Sequence, residues 1–213
     1  MSKDKDSKKA NADEEYDEIK GLDPSFFELN RENYLKNLKI RFSHLNTNSV
    51  IVFQGGKDHP KYDSDTNIYY FTQESNFYYL TGVRDPNMLF VLDVQSGEGT
   101  LFYDQEPEDY KIWMVVPSLD DITKKYGIKT YLKKDLEKFL QKRNMEVIYI
   151  MDGFNENSGL QVYSAELNFV GDYAYLNKKF NHDKYIYMVL CDTRSIKNER
   201  EKKLLKYIAK ISN

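Results

Sequence analysis

Residues 70–94 read YFTQESNFYYLTGVRDPNMLFVLDV, a phrase in which six aromatic side chains stand among Gln, Glu, Ser and Asn, ahead of an apolar run. This mixture suits neither a plain core strand nor a plain loop. We expect residues 71–82 to form a strand, a turn and the start of a helix or strand in the domain core. Their polar side chains would satisfy buried backbone groups rather than react. Beyond the phrase, residues 88–94 and 100–103 flank the Gly-containing QSGEG and predict a β-hairpin.

The regions around this phrase alternate between helical and strand-like patterns. Asp23-Pro24 is typical of a helix start, with an N-cap followed by Pro at the first helical position. The remaining pattern predicts one or two helices over 24–42, further helices over 118–126 and 133–142, and strands over 48–53, 129–132, 147–151 and 185–191. Strands that alternate with helices after a hairpin indicate an α/β fold, with a mixed β-sheet flanked by helices.

Composition limits the classes of protein to consider. The chain has 213 residues, of which 40% are hydrophobic, and a formal net charge of −3. That balance gives no electrostatic reason to bind nucleic acid or anionic lipid, and no apolar run is long enough to span a membrane. Cys191 is the single cysteine, so no disulfide can form within the chain. We therefore expect a cytoplasmic protein with no nucleic-acid or membrane partner.

The two ends of the sequence differ from its centre. Residues 1–20 are Lys, Asp, Glu, Ser and Asn with hardly any apolar side chain, which predicts a disordered, solvated tail. At the other end, Asn198 and Glu201 form a capping-box pattern ahead of an apolar stripe made by Leu204, Leu205, Ile208 and Ile211. The stripe continues to the final residues without a stop signal. We expect that this helix either has lost its continuation, which we favour, or packs on the domain already described.

Candidate catalytic groups are few. Asp93 and Asp104 lie on the two arms of the hairpin and could share a metal pair, but a working site needs a His and further carboxylates. None of the three histidines, His44, His59 and His182, stands in a ligand-like setting. Cys191 ends an apolar run and is typical of a small buried residue. The residues alone therefore predict a non-catalytic domain, with no catalytic and no metal-binding residue.

Trp113 is the only tryptophan, and it lies in a loop-like segment after the hairpin. A large aromatic side chain on a loop is more often simply half-buried. It can also be an anchor for a partner or a substrate, because Trp is enriched at such positions. The residues leave both interpretations open.

The phrase resembles the N-terminal domain of the creatinase, prolidase and aminopeptidase P family, whose pattern is Phe-Arg-Gln-(Glu/Asp)-Ser-x-Phe-x-Tyr-Leu-x-Gly before an apolar hairpin. Residues 52–67, VFQGGKDHPKYDSDTN, are similar to the Gln-Gly-Gly and Tyr-x-x-Asp-Thr segment of eukaryotic prolidases. Residues 111–114, KIWM, fall where prolidases have Thr-Trp-Met-Gly. Residues 192–197, DTRSIK, resemble the passage that opens the family's catalytic domain.

The resemblance implies a ribonuclease H-like N-terminal domain over residues 21–192, followed at 193–213 by the first helix of a truncated catalytic domain of the "pita-bread" type. In that family the metal ligands all lie in the catalytic domain, so the divalent metal, with Mn favoured, would not be bound by this fragment. Asp93 and Asp104 would not be ligands. The resemblance also implies a homodimer in which the Trp-containing loop reaches the active site of the other subunit. Trp113 would then be the substrate-binding residue of this chain.

By this resemblance the full-length protein is a metallopeptidase of class M24, a prolidase that hydrolyses the bond preceding proline in Xaa-Pro dipeptides. This fragment alone is expected to be inactive. Three alternatives remain: an aminopeptidase P acting on longer peptides, a catalytically inactive binding module similar to a histone chaperone, and a freestanding domain. The sequence departs from the family pattern at Thr72, at Arg84-Asp85-Pro86 and at Val115, which replaces a Gly and weakens the placement of Trp113.

Overall fold

The structure is a computed structural model that describes residues 23–58, 61–63, 70–112, 115–162 and 164–212. The predicted tail over 1–20 lies outside these residues. The strands are β1 Ser49–Gln54, β2 Met88–Asp93, β3 Gly99–Tyr103, β4 Lys129–Leu132, β5 Val147–Met151 and β6 Phe180–Asp183. The α-helices are α1 Pro24–Arg41, α2 Ser75–Thr81, α3 Leu119–Tyr126, α4 Leu136–Arg143, α5 Lys184–Ser195 and α6 Glu199–Ser212. Short 3₁₀ segments cover Lys61–Asp63, Glu108–Ile112, Lys133–Asp135 and Gly171–Lys179.

The six strands form one mixed sheet in the order β4-β3-β2-β1-β5-β6. Strand β2 is antiparallel to both of its neighbours, whereas the pairs β1–β5, β3–β4 and β5–β6 are parallel. The predicted hairpin is β2–β3, and its turn is closed by the Asp93 carboxylate, which accepts hydrogen bonds from the backbone of Gln95 and Ser96 at 2.9 Å each. This architecture confirms the predicted α/β fold with a mixed sheet and flanking helices.

Side-chain caps define the starts of two helices, of which the Asp23 cap was predicted. The Asp23 carboxylate accepts from the backbone N–H groups of Ser25 and Phe26, and one helix, α1, continues to Arg41. Helix α3 begins with a capping box between Ser118 and Asp121 and ends at Gly127, whose φ is 63°. Local side-chain chemistry alone therefore fixes where these two helices start.

Alternate residues of the strands pack against two separate layers. On one face, Ile51, Phe53 and Phe90 are buried beneath α1, α2, α3 and α5. On the other face, Val50 and Val91 lie in a second core with α4 and the segment 165–176. Both faces of the central strands are apolar because helices or ordered segments cover both sides.

Buried polar groups of α1 hold the helical layer together. The Arg31 guanidinium donates to the carbonyl of Leu80 at 2.8 Å, and the Asn30 amide donates to the carbonyl of Tyr79 at 3.0 Å. These two carbonyls belong to the last turn of α2, where the helix has no internal donor for them. Helix α1 therefore caps α2 from the side.

The predicted last strand is wrong. Residues 185–191, predicted as the last strand, form most of helix α5, and the strand at this position is the preceding β6. The Asp183 carboxylate accepts from the backbone of Tyr185 at 2.8 Å and starts the helix. The buried residues then recur at helical spacing, at Ile186, Val189, Leu190 and Thr193. The apolar run hides this spacing, because exposed positions such as Met188 also carry apolar side chains.

The glycine that ends α2 provides a test of the fold. Gly82 has φ 70°, and a Cβ there would overlap the Phe27 ring. We expect Gly82→Ala to lower the free energy of unfolding by about 1–2 kcal/mol for the left-handed backbone and by about 1–3 kcal/mol more for overpacking, measured by urea denaturation. Gly159→Ala is the matched control, because Gly159 has φ 69° with no atom near its missing Cβ. Equal losses for the two variants would contradict the packing of Phe27.

Candidate functional site

The topology gathers three loops at one end of the sheet. Strands β1, β3 and β5 run in the same direction, so the loops that follow them leave the sheet at the same end. These loops are residues 55–74, 104–118 and 152–170. The antiparallel strand β2 begins at that end, which we call the loop end. In α/β sheets the carboxyl ends of the strands are the usual place for a binding site.

The Gln73 side chain connects the segments at the base of the loop end. Its Oε1 accepts from the backbone N–H groups of Gly56 at 2.6 Å and of Glu74 at 2.9 Å. Its Nε2 donates to the carbonyl of Asp85 at 2.9 Å. One side-chain amide thus ties the exit of β1, the start of α2 and the approach to β2.

The other polar residues of the phrase also bond to backbone or to each other. The Glu74 carboxylate accepts from the backbone of Phe77 at 2.7 Å and from the Asn76 amide at 3.1 Å, which caps α2. The Asn76 side-chain oxygen accepts from Arg194 on α5. This confirms that the polar side chains of the phrase satisfy structural groups. Residues 71–74 lead into α2 without forming the expected strand.

Asp85, which departs from the family pattern, binds the neighbouring helix. Its carboxylate accepts from the Tyr126 hydroxyl at 2.6 Å and from the Lys125 ammonium at 2.9 Å. Burial and then the bond to Asp85 raise the pKa of Tyr126 above its ordinary value. The end of α3 is thereby held against the approach to β2.

Large apolar side chains are exposed on all three loops. We call this set the apolar loop surface; it comprises Tyr62, Tyr70, Ile112, Val115, Phe154 and Leu160. Trp113, the substrate-binding residue expected from the sequence, lies outside the described residues. The residues on either side of residues 113–114 are strongly exposed, Ile112 at 78% and Val115 at 90%. Exposed apolar residues on neighbouring loops are typical of an interaction site.

The hairpin carboxylates are not brought together. Asp93 ends β2, and Asp104 follows β3 directly, so they lie at opposite ends of the hairpin. Arg143 bonds to Asp93 at 2.5 Å, and Lys133 bonds to Asp104 at 2.8 Å. Burial opposes the ionisation of Asp93, but the bonds from Arg143 and Ser96 outweigh it and lower the pKa of Asp93. Within the part of the chain that the structure describes, no three His, Cys, Asp or Glu side chains cluster as metal ligands would.

The remaining candidates are also separate from one another. Cys191 is half-buried on α5. His44 and His182 are exposed, the first between α1 and β1 and the second on the edge strand β6. His59 lies outside the described residues. Among the described residues, these candidates therefore do not form an acid, a base and a nucleophile in contact.

The last helix is attached at its start and exposed along its length. The predicted capping box is confirmed, with the Asn198 side chain accepting from Glu201 N–H at 2.9 Å and the Glu201 carboxylate accepting from Asn198 N–H at 2.9 Å. Arg200 forms an ion pair with Asp23 at 2.9 Å. No residue of α6 is buried, and Ile211 is 66% exposed. Leu205, Ile208 and Ile211 of the apolar stripe are therefore exposed, whereas Leu204 is half-buried.

Comparison with known proteins assigns the fold to a family. Residues 27–149 match the aminopeptidase P N-terminal domain, so the chain belongs to this family. The Xaa-Pro dipeptidase of Pongo abelii is 28% identical over 191 residues, which cover 89% of this chain and 37% of that protein. The Xaa-Pro dipeptidase of Homo sapiens is 27% identical over the same length and coverage. The chain thus spans little more than a third of these curated relatives.

A solved structure shares the fold. A Bacillus anthracis protein described as an aminopeptidase P superimposes with a TM-score of 0.59 at 23% identity, covering 87% of this chain and 43% of that chain. Separately, none of the described helices is both long and apolar enough to cross a membrane.

The Gln73 contacts predict a measurable effect on stability. We expect Gln73→Met, which keeps the length but removes donor and acceptor, to lower the free energy of unfolding by roughly 1–3 kcal/mol, because Gly56 N–H and Asp85 C=O lose their partner. The amide of Gly56 should also exchange faster with solvent. Gln141→Met on the exposed side of α4 is the control and should change neither quantity. Unchanged exchange at Gly56 in Gln73→Met would show that the amide does not tie the loop end.

Proposed function

We propose that this chain is the N-terminal, non-catalytic domain of a metal-dependent Xaa-Pro dipeptidase. The observation that carries the proposal is the family match together with the Xaa-Pro dipeptidases that align with 89% of this chain. The full-length protein would hydrolyse the peptide bond preceding proline in the cytoplasm. This domain would contribute to a homodimer and to the substrate pocket.

The attachment of α6 supports a proposal for the domain boundaries. Residues 21–192 would form the N-terminal domain, and 193–213 would begin the catalytic domain of the pita-bread type. In support, α6 is held by contacts of its first turn, such as that between Asn198 and Asn30 at 2.9 Å. Its exposed stripe, with Leu205 at 50% and Ile208 at 44%, would be covered by that following domain.

The apolar loop surface would form the contact with the second subunit. Ile112 and Val115 flank the Trp-containing segment, and their exposure suits a loop whose partner is another polypeptide. Trp113 would then lie against the proline side of the substrate bound by the other subunit. A proline ring and an indole ring are both flat, apolar surfaces that pack well together.

The metal would belong to the catalytic domain. Among the described residues, Asp93 is engaged in an ion pair and Glu74 in a helix cap. No three His, Cys, Asp or Glu side chains of these residues lie close enough together to hold a metal ion. A divalent ion such as Mn²⁺ would supply Lewis-acid chemistry in the catalytic domain. The residues described here would position the substrate and take no part in that step.

The first test uses the full-length protein. We expect the longest reading frame that contains this chain, expressed and loaded with Mn²⁺, to hydrolyse Gly-Pro, whereas residues 1–213 alone release no proline above the buffer background. Hydrolysis only of longer Xaa-Pro peptides would indicate an aminopeptidase P instead. A Fusarium vanettenii protein named as a probable Xaa-Pro aminopeptidase aligns with 59 residues of this chain. Absence of hydrolysis on both substrates would instead favour a catalytically inactive binding module.

A second test addresses Trp113. In the full-length protein we expect Trp113→Ala to raise KM for Gly-Pro roughly tenfold, because a buried aromatic anchor contributes more than about 1 kcal/mol to binding. Trp113→Phe should keep most of the affinity. Tyr175→Ala, at an exposed aromatic residue outside the apolar loop surface, is the control. An unchanged KM in Trp113→Ala would remove this residue from the substrate pocket.

A further inference from the structure

A groove of about 870 Å³ lies at the end of the sheet opposite to the loop end. It opens on the sheet face that carries α4, where β1 and β3 begin and β2 ends. Val50 and Val91 form its floor, and the half-buried rings of Tyr131 and Phe139 line its walls. The groove is separate from the apolar loop surface and from α6, so the proposed peptidase function does not account for it.

Lysines dominate one side of the groove. Arg143 and Asp93 neutralise each other on its lining. The charges that remain are Lys129, Lys138 and Lys142 against the carboxylates of Glu98 and Asp135. Lys138 and Lys142 are exposed and lie one helical turn apart on α4, and neither forms an ion pair with a described residue. An apolar floor beside two adjacent cations suits an occupant that is acidic and carries apolar side chains.

The chain itself contains such a segment. Residues 13–19 read DEEYDEI, with five carboxylates around Tyr16 and Ile19. An acidic segment of this kind buries too little apolar surface to fold alone. It can become ordered when it binds a surface of opposite charge. Its charge pattern is opposite to that of the α4 side of the groove.

The start of α1 brings this segment within reach. Pro24 packs directly against Gly127, and Lys129 follows two residues later at the rim of the groove. Glu18 is five residues from Asp23, a span of up to about 17 Å in an extended chain. The described chain therefore begins on the side of the domain at which Lys129 lies.

We propose that residues 13–19 of this chain dock in the groove, with their carboxylates against Lys138 and Lys142 and with Tyr16 or Ile19 over the apolar floor. The docked segment shields the groove walls from solvent and from other chains. The contact is intramolecular, so it does not depend on protein concentration, and it weakens as salt screens the charges.

The test places a nitroxide next to the acidic segment in the full chain. The variant Ala12→Cys/Cys191→Ser carries the label, and methyl NMR signals of Val50 and Val91 report proximity. We expect these signals to be lost through paramagnetic broadening, while those of Ile186 on α5 persist. They should return at an ionic strength of about 1 M, where the screening length is about 3 Å.

Charge reversal makes the test specific. Lys138→Glu/Lys142→Glu should restore the signals, as should Glu14→Lys/Glu15→Lys, and combining the two pairs should broaden them again. Lys36→Glu/Lys39→Glu, at exposed positions of α1, is the matched control and should leave the broadening intact. Absence of broadening in the labelled chain overturns the proposal. So does broadening that appears only when labelled and isotope-labelled molecules are mixed, since the occupant would then be a second copy.

Discussion

Three hydrogen bonds of one side-chain amide hold the loop end together. Gln73 joins Gly56, Glu74 and Asp85, which lie at the exit of β1, the start of α2 and the approach to β2. Gly56 leaves room for this contact, because a Cβ there would come within 3.0 Å of the Phe71 ring and 3.3 Å of the Gln73 oxygen. The first of the three loops depends on this half-buried network, since a missing partner would leave backbone groups unsatisfied.

Several carboxylates among the described residues have structural partners. Carboxylates that could act as acids or ligands are engaged structurally, as in the pairs Arg143–Asp93 and Lys125–Asp85 and in the Glu74 cap of α2. Apolar side chains are instead exposed on the loops and along α6. Exposed apolar surfaces of this kind are typical of interaction sites.

The sequence predicted the features that rest on local signals. The hairpin and the capped starts of α1 and α6 follow from short-range chemistry, and the structure confirms them. Segment 185–191 was misassigned because its residues are nearly all apolar. Only the pattern of burial distinguishes a helix from a strand there, and that pattern depends on tertiary packing. The partner of Arg31 on α2 and the partner of Asp93 on α4 lie 49 and 50 residues away, a separation that no local pattern reveals.

We propose that the loop end and α6 are contact surfaces in a longer protein. Backbone hydrogen exchange compares residues 1–213 alone with the full-length protein under the same conditions. We expect the amides around Ile112 and Val115, together with those along α6, to exchange more slowly in the full-length protein, while the amide of Gly56 exchanges equally in both. Equal exchange at Ile112, Val115 and α6 in the two proteins would contradict it.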